Sequence, residues 1–149
     1  MGWLDDLSGK LVALDTAPLI YLIEAHPEYL PIVRPFFASL NAGEFRAVTS
    51  TVTLLEVLVH PFRQKNVSLA QKYRDILLNA TGLSLISLTP EIAERAARLR
   101  ADFNLRTPDS IQVAVVLQTG ATHFFTNDVN LQKIPGFKTL VVEKIRAGQ

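Results

Sequence analysis

Short apolar runs rich in β-branched residues alternate along this chain with longer stretches whose apolar positions repeat at helical spacing. That alternation predicts βαβ units around a parallel sheet, an α/β fold. The first run, Leu11-Val12-Ala13-Leu14, ends at Asp15. Thr16-Ala17-Pro18 follows as a helix entry, since a proline in the first turn gives up an N–H that has no helical partner. Leu19, Ile20, Leu22 and Ile23 then form one broad apolar face. Pro27, Pro31 and Pro35 predict a region broken into short helical pieces that reach about Ala42. A short strand is expected at Ala47-Val48-Thr49, followed by a helix from Val52 to His60, capped by Ser50 or Thr51 and stopped by Pro61.

Asn66 to Ala80 predicts an amphipathic helix with Leu69, Tyr73, Ile76 and Leu77 inward, and Leu83 to Leu88 alternates as a strand does. Thr89-Pro90-Glu91 places a cap, a proline and an acid at the start of a helix whose buried stripe is Ile92, Ala96 and Leu99. The same signature at Thr107-Pro108-Asp109 opens another, with Ile111, Ala114 and Val115 inward and an end at Gly120. Strands from Thr122 to Thr126 and from Thr139 to Val142 bring the expected sheet to about five strands.

Composition narrows the class. The 149 residues are 48% apolar and 19% charged, the balance of a globular chain, and no repeat or low-complexity linker divides them. A single domain over 1–149 is expected, with a short extension at about 1–9 because the first strand begins near Lys10. Lys and Arg number 15 against 14 for Asp and Glu, so a net charge of +1 leaves any anionic partner to a local patch. Zero cysteines exclude a disulfide scaffold and thiol-based metal or nucleophile chemistry. The opening MGWLDDLSGK lacks the basic and apolar stretches of a signal peptide, and no apolar run is long enough for a membrane span. A cytoplasmic protein is expected.

Four carboxylates stand where a ligand site belongs. In an open parallel sheet, ligands bind beyond the carboxyl ends of the strands. Asp15 directly follows the first strand, Asp128 follows Thr122–Thr126 after one residue, and Asp109 occupies a first helical turn that faces the same rim. Glu56 interrupts the apolar face Leu54-Leu55-Glu56-Val57-Leu58, where a charge must find a partner or a wet cleft. Each has an ordinary alternative: Asp15 as a helix cap, Asp109 as a dipole partner, Asp128 as a turn residue, Glu56 paired with His60. Taken together, four acids on one rim are costly, because two carboxylates ~5 Å apart repel by roughly 3 kcal/mol at an effective dielectric of ~20. A cation makes the cluster sensible, and hard oxygen donors suit Mg²⁺ or Mn²⁺, ions that most often handle phosphate.

Leu14-Asp15-Thr16 with Leu19-Ile20, Leu54-Leu55-Glu56-Val57, Pro108-Asp109-Ser110-Ile111 and Thr126-Asn127-Asp128 resemble, in order, the four acidic motifs of PIN-domain nucleases. The likeness spans about residues 10 to 142, and its size and spacing are similar to those of VapC-type toxins of toxin–antitoxin pairs. The resemblance implies a three-layer α/β/α fold with a central parallel sheet, and Mg²⁺- or Mn²⁺-dependent endoribonuclease activity. It further implies frequent homodimers and inhibition by a cognate antitoxin. It implies that Asp15, Glu56, Asp109 and Asp128 form the catalytic, metal-binding quartet, with Thr16 and Thr126 holding carboxylates or water behind them. Many relatives carry a further acid where Asn130 stands here, a departure that weakens the case for a second strongly held metal. Trp3 and Leu4 have no counterpart in the motifs.

RNA contact would fall to local basic residues. Arg63, Lys65, Lys72 and Arg74 follow the Glu56 motif, and Arg95, Arg98, Arg100 and Arg106 lead into the Asp109 motif. Each also reads as part of a solvated face. His123 and Phe36, Phe37, Phe124 and Phe125 read as core. Two other acid-rim classes fail on detail. An aspartate-nucleophile phosphatase needs an acid where Ala17 stands. A receiver domain needs an aspartate after a middle strand and a lysine after a late one, which Leu88-Thr89-Pro90 and Thr126-Asn127-Asp128 do not supply. A PIN fold that binds RNA without cutting it, and a housekeeping nuclease without an antitoxin, are the remaining alternatives.

Overall fold

A computed structural model describes residues 2–148; positions 1 and 149, the outermost of the expected domain, lie outside the described residues. Five strands, β1 (Leu11–Leu14), β2 (Arg46–Ser50), β3 (Leu83–Ile86), β4 (His123–Thr126) and β5 (Lys138–Val141), form one sheet in the order β3-β2-β1-β4-β5. Every pairing is parallel, with Leu14 opposite Phe125 and Ala13 opposite Val48. The strands at the middle of the sheet are buried on both faces, which is why they read as continuous apolar runs.

Helices close both faces, giving the three expected layers. On one side Ala13, Val48 and Phe124 pack against α5 (Pro90–Phe103) and α6 (Thr107–Thr119). On the other, Val12, Leu14, Ala47 and Phe125 meet α2 (Leu30–Asn41) through Val33, Phe36 and Leu40, and α7 (Val142–Arg146) through Val142. On this second side α1 (Thr16–Ile23), α3 (Thr51–Arg63) and α4 (Val67–Asn79) share a cluster built on Leu19, Val57, Tyr73 and Leu77.

Three local expectations change. Pro31 and Pro35 do not break the chain into pieces: Pro31 sits in the first turn of α2, and Pro35 lies inside it, held by the burial of Val33, Phe36 and Leu40. Pro61 does not stop α3, which runs on to Arg63; the ring is buried, so packing offsets the hydrogen bond it forfeits. Lys65, at φ 54°, makes the turn instead. Thr107 is not a cap but the first residue of α6, following Arg106, and its carbonyl accepts from Ser110 Oγ at 2.7 Å. Thr89 does cap α5, accepting from the Ile92 amide at 3.2 Å.

The N-terminal segment packs on the domain. Leu7 is fully buried, and the Trp3 ring lies 5.2 Å from that of Phe125 and 6.2 Å from that of Phe36. His123 is a core histidine, with Nδ1 2.8 Å from Thr122 Oγ1 and its pKa lowered chiefly by burial.

Candidate active site

Because all five strands run the same way, their carboxyl ends share one rim. The chain builds outward from β1 to β2 and β3, then returns to add β4 and β5 on the other side, so the crevice between β1 and β4 is the switch point where ligands bind. Asp15 leaves β1 at this crevice, and its amide donates to the Phe125 carbonyl of β4 at 2.9 Å. One carboxylate oxygen accepts from the Thr16 amide at 2.8 Å, capping α1, and the other from Thr126 Oγ1 at 2.7 Å. Asp15 is therefore both a cap and a rim acid.

Thr126 is fully buried, and its hydroxyl oxygen also accepts from the Asp128 amide at 3.1 Å. One side chain thus sets both ends of the crevice. Asp128 turns its carboxylate back to the Asn130 amide at 2.9 Å, opening the 3-10 turn Val129–Lys133. Glu56 reaches in from α3 and accepts from Thr16 Oγ1 at 2.8 Å. Asp109, in the first turn of α6, receives Arg106 on both oxygens, from Nε at 3.0 Å and Nη2 at 3.4 Å.

All four acids line a single cleft of about 260 Å³, together with Thr16, Tyr21, Arg106, Thr126 and Asn127. A cavity of about 380 Å³ between α5 and α6 is larger, but its lining is mostly apolar and contains no acid. Burial chiefly pushes the Asp15 carboxyl up to about 6, against the hydrogen bonds from Thr126 and Thr16, and the charges of Asp109 and Glu56 add to the rise. Ionising Asp15 therefore costs free energy mainly through desolvation, with the neighbouring charges a smaller part. Among the described residues, no three acidic or histidine side chains stand close enough to form a ready-made metal cage.

Behind the acids lies a buried polar relay with Gln112 at its centre. The Gln112 amide donates to Thr53 Oγ1 at 2.6 Å and accepts from Ser50 Oγ at 2.9 Å, while Thr53 bonds Thr16 and Thr49, each at 3.0 Å. Thr49 donates to the Leu14 carbonyl at 2.8 Å. α6, α3, β2 and α1 are thereby locked at the position from which Thr16 holds Glu56. Sequence reasoning missed Gln112, although it interrupts the apolar run Ile111-Gln112-Val113 as Glu56 interrupts its own. It also missed Asn127, which donates to the Tyr21 hydroxyl at 2.9 Å and accepts from the Glu143 amide at 2.8 Å, tying the crevice to α1 and α7. Of the eight basic candidates, Arg106 alone lines the cleft. Arg74 lies over the Phe62 ring, Arg98 pairs with Glu94, and Arg100 donates to the Leu105 carbonyl.

An open parallel α/β sheet with a carboxylate-lined cleft at its switch point defines the class. Residues 12–136 match the PIN domain family, and the chain belongs to it. Among solved structures it is similar to VapBC2 of Rickettsia felis bound to promoter DNA, at 18% identity over 88% of this chain and 98% of that one, with a TM-score of 0.70. It is similar also to a toxin–antitoxin complex from Klebsiella pneumoniae (24% identity, 88% and 97% covered, TM-score 0.67). A third is VapC20 of Mycobacterium tuberculosis, a sarcin–ricin loop cleaving toxin (19% identity, 76% and 86% covered, TM-score 0.63). No curated protein sequence matches the chain. No described helix is long and apolar enough to cross a membrane.

Proposed function

We propose that this chain is a Mg²⁺- or Mn²⁺-dependent endoribonuclease that hydrolyses phosphodiester bonds in RNA, and that it is the toxin of a cytoplasmic toxin–antitoxin pair. The observation that carries the reading is the convergence of four carboxylates, from β1, α3, α6 and the turn after β4, on one cleft at the switch point. Asp15, Glu56, Asp109 and Asp128 would hold the cation. Their donors are all hard oxygens, the half-buried Asp15 carboxylate has no basic partner among the described residues, and Mg²⁺ ordinarily takes only one or two carboxylates and keeps its waters, so no preformed cage is needed. When bound, such an ion supplies activation of water and neutralisation of charge on the phosphate.

The chain's own residues prepare the site. Thr126 fixes Asp15 and the Asp128 backbone together, and Thr16 fixes Glu56, which holds these residues in place at the crevice. RNA, itself an anion, must then enter against the charge of these acids. Binding without a cation would be weak.

Two of the similar structures are described as a toxin–antitoxin complex and as a sarcin–ricin loop cleaving toxin, which supports the toxin assignment. A protein partner is supported independently. Leu55, Val59 and Phe62 recur along α3 at helical spacing and are exposed, as is Val67 at the start of α4, leaving an apolar strip beside Glu56 for an antitoxin or a second copy of the chain. The test is RNA cleavage by the purified protein with Mn²⁺. Asp15→Asn and Asp109→Asn should each abolish it while the fold, followed by circular dichroism, is kept. Cleavage at the wild-type rate by either variant, or undiminished cleavage in a chelator, would overturn the reading.

A further inference from the structure

The cleft lining holds four acids and a single base, Arg106. Arg106 precedes α6 with extended backbone, at φ −68° and ψ 155°, and its side chain makes no cap hydrogen bond. It folds over Asp109 instead, covering that carboxylate with its guanidinium fork. The two ends of the pair differ in exposure: the Arg106 side chain is 79% exposed and that of Asp109 17%. Glu56 and Asp128 also act on the guanidinium through their charges.

Two facts set these contacts in competition. An ion pair with one end this exposed is weakly held, so a divalent cation entering the acids would displace Arg106 readily. A guanidinium fork matches phosphate as well as it matches carboxylate, and a side chain this exposed can turn toward solvent without any change in the backbone. Phosphate, moreover, meets no other positive side chain in the lining.

We propose that Arg106 is a two-position residue: it pairs with Asp109 while the acids hold no cation, and turns to the RNA backbone as a phosphate-positioning group once a divalent ion takes the Asp109 carboxylate. This rests on the metal-nuclease reading above. It assigns the neutralising role in the empty cleft and the anion-holding role in the filled one to the same side chain.

The two positions make opposite predictions for one substitution. Titrated calorimetrically into metal-free protein, Mn²⁺ should bind Arg106→Gln about two- to five-fold more tightly than wild type, because a competing cation is gone. With Mn²⁺ present, a labelled single-stranded 20-nucleotide RNA, read by anisotropy in the first seconds before cleavage, should bind Arg106→Gln several-fold more weakly. The slope of log affinity against log salt should be shallower by about 0.7, the loss of one phosphate contact to a single strand. Arg106→Lys keeps a charge and should retain the slope, which a merely structural role would not predict. Wild-type uptake of Mn²⁺ with unchanged or weaker uptake by Arg106→Gln overturns the competition, and unchanged RNA affinity and slope overturn the phosphate role. If the wild type takes up no Mn²⁺, the metal-nuclease reading fails and the inference fails with it.

Discussion

Thr126 donates to one oxygen of Asp15 and the Thr16 amide to the other, yet burial still pushes this carboxyl up from 3.8 to about 6. A raised folded-state value means that the folded protein keeps a proton the unfolded chain has already released. Stability from this source is full below the unfolded value and is lost as pH rises through about 6. The rise corresponds to about 3 kcal/mol at most. The unfolding free energy of the metal-free wild type should therefore fall relative to that of Asp15→Asn between pH 4 and pH 7, in urea titrations at each pH. A difference that stays flat over this range means the carboxylate is solvated and ordinary. Thr126→Ala strips Asp15 of a donor and the Asp128 amide of its acceptor, which costs about 1–3 kcal/mol for buried groups. Its cleavage rate should drop less than that of Asp15→Asn, and Thr126→Ser should restore it.

At the scale of elements, Gln112 and Trp3 show how much of the site depends on contacts between secondary structures. Gln112 is 3% exposed and bridges α6 to α3 and β2. Gln112→Leu leaves Thr53 and Ser50 short of partners in the core, and a loss of about 2–4 kcal/mol is expected in denaturant unfolding. A loss under 0.5 kcal/mol would mean the relay is not held as described. Trp3 belongs to a segment outside the PIN match at 12–136, yet it packs on Phe36 of α2 and Phe125 of β4. Trp3→Ala should destabilise the fold by about 2–4 kcal/mol, lowering the melting temperature, because it opens a void against the helical layer. Unchanged melting would show the segment to be dispensable.

The whole molecule presents its acid cleft next to the apolar strip on α3, so a partner seated on the strip would lie beside the cleft. If a second copy covers the strip, Leu55→Asp with Phe62→Asp should shift the protein from dimer to monomer in light scattering and lower its melting temperature, since the partner no longer stabilises the folded chain, while circular dichroism shows the fold kept. A wild-type protein that is monomeric throughout removes the homodimer and leaves the strip to another chain. At about 100 times its dissociation constant, Mn²⁺ should add roughly 2.7 kcal/mol to unfolding of the wild type. Most of that gain should vanish in Asp109→Asn. Expressed without a partner, the wild type should arrest growth of its host and Asp109→Asn should not.

Strand and helix positions were legible because each is a local matter of periodicity. Strands buried on both faces show as unbroken apolar runs, and Thr89-Pro90-Glu91 carries its cap within four residues of the helix it starts. The four acids were legible because strand ends in a parallel sheet must share a rim. Local rules failed at Pro31, which sits in a first helical turn where no hydrogen bond is lost, at Pro35 and Pro61, where the packing of their helices outweighed one, and at Thr107, whose capping signature is overridden by the chain's approach through Arg106. Periodicity reports which face is buried, never against what. The bond from Thr126 to Asp15 spans 111 residues and that from Gln112 to Thr53 spans 59, and no window along the chain contains both ends of either. The sequence by itself determined an α/β fold with acids at its strand ends. Which hydroxyls hold those acids, how far Asp15 is desolvated, and the turning of Arg106 rather than any other base onto Asp109 were decided by tertiary structure, because each depends on distances between elements that the fold alone sets.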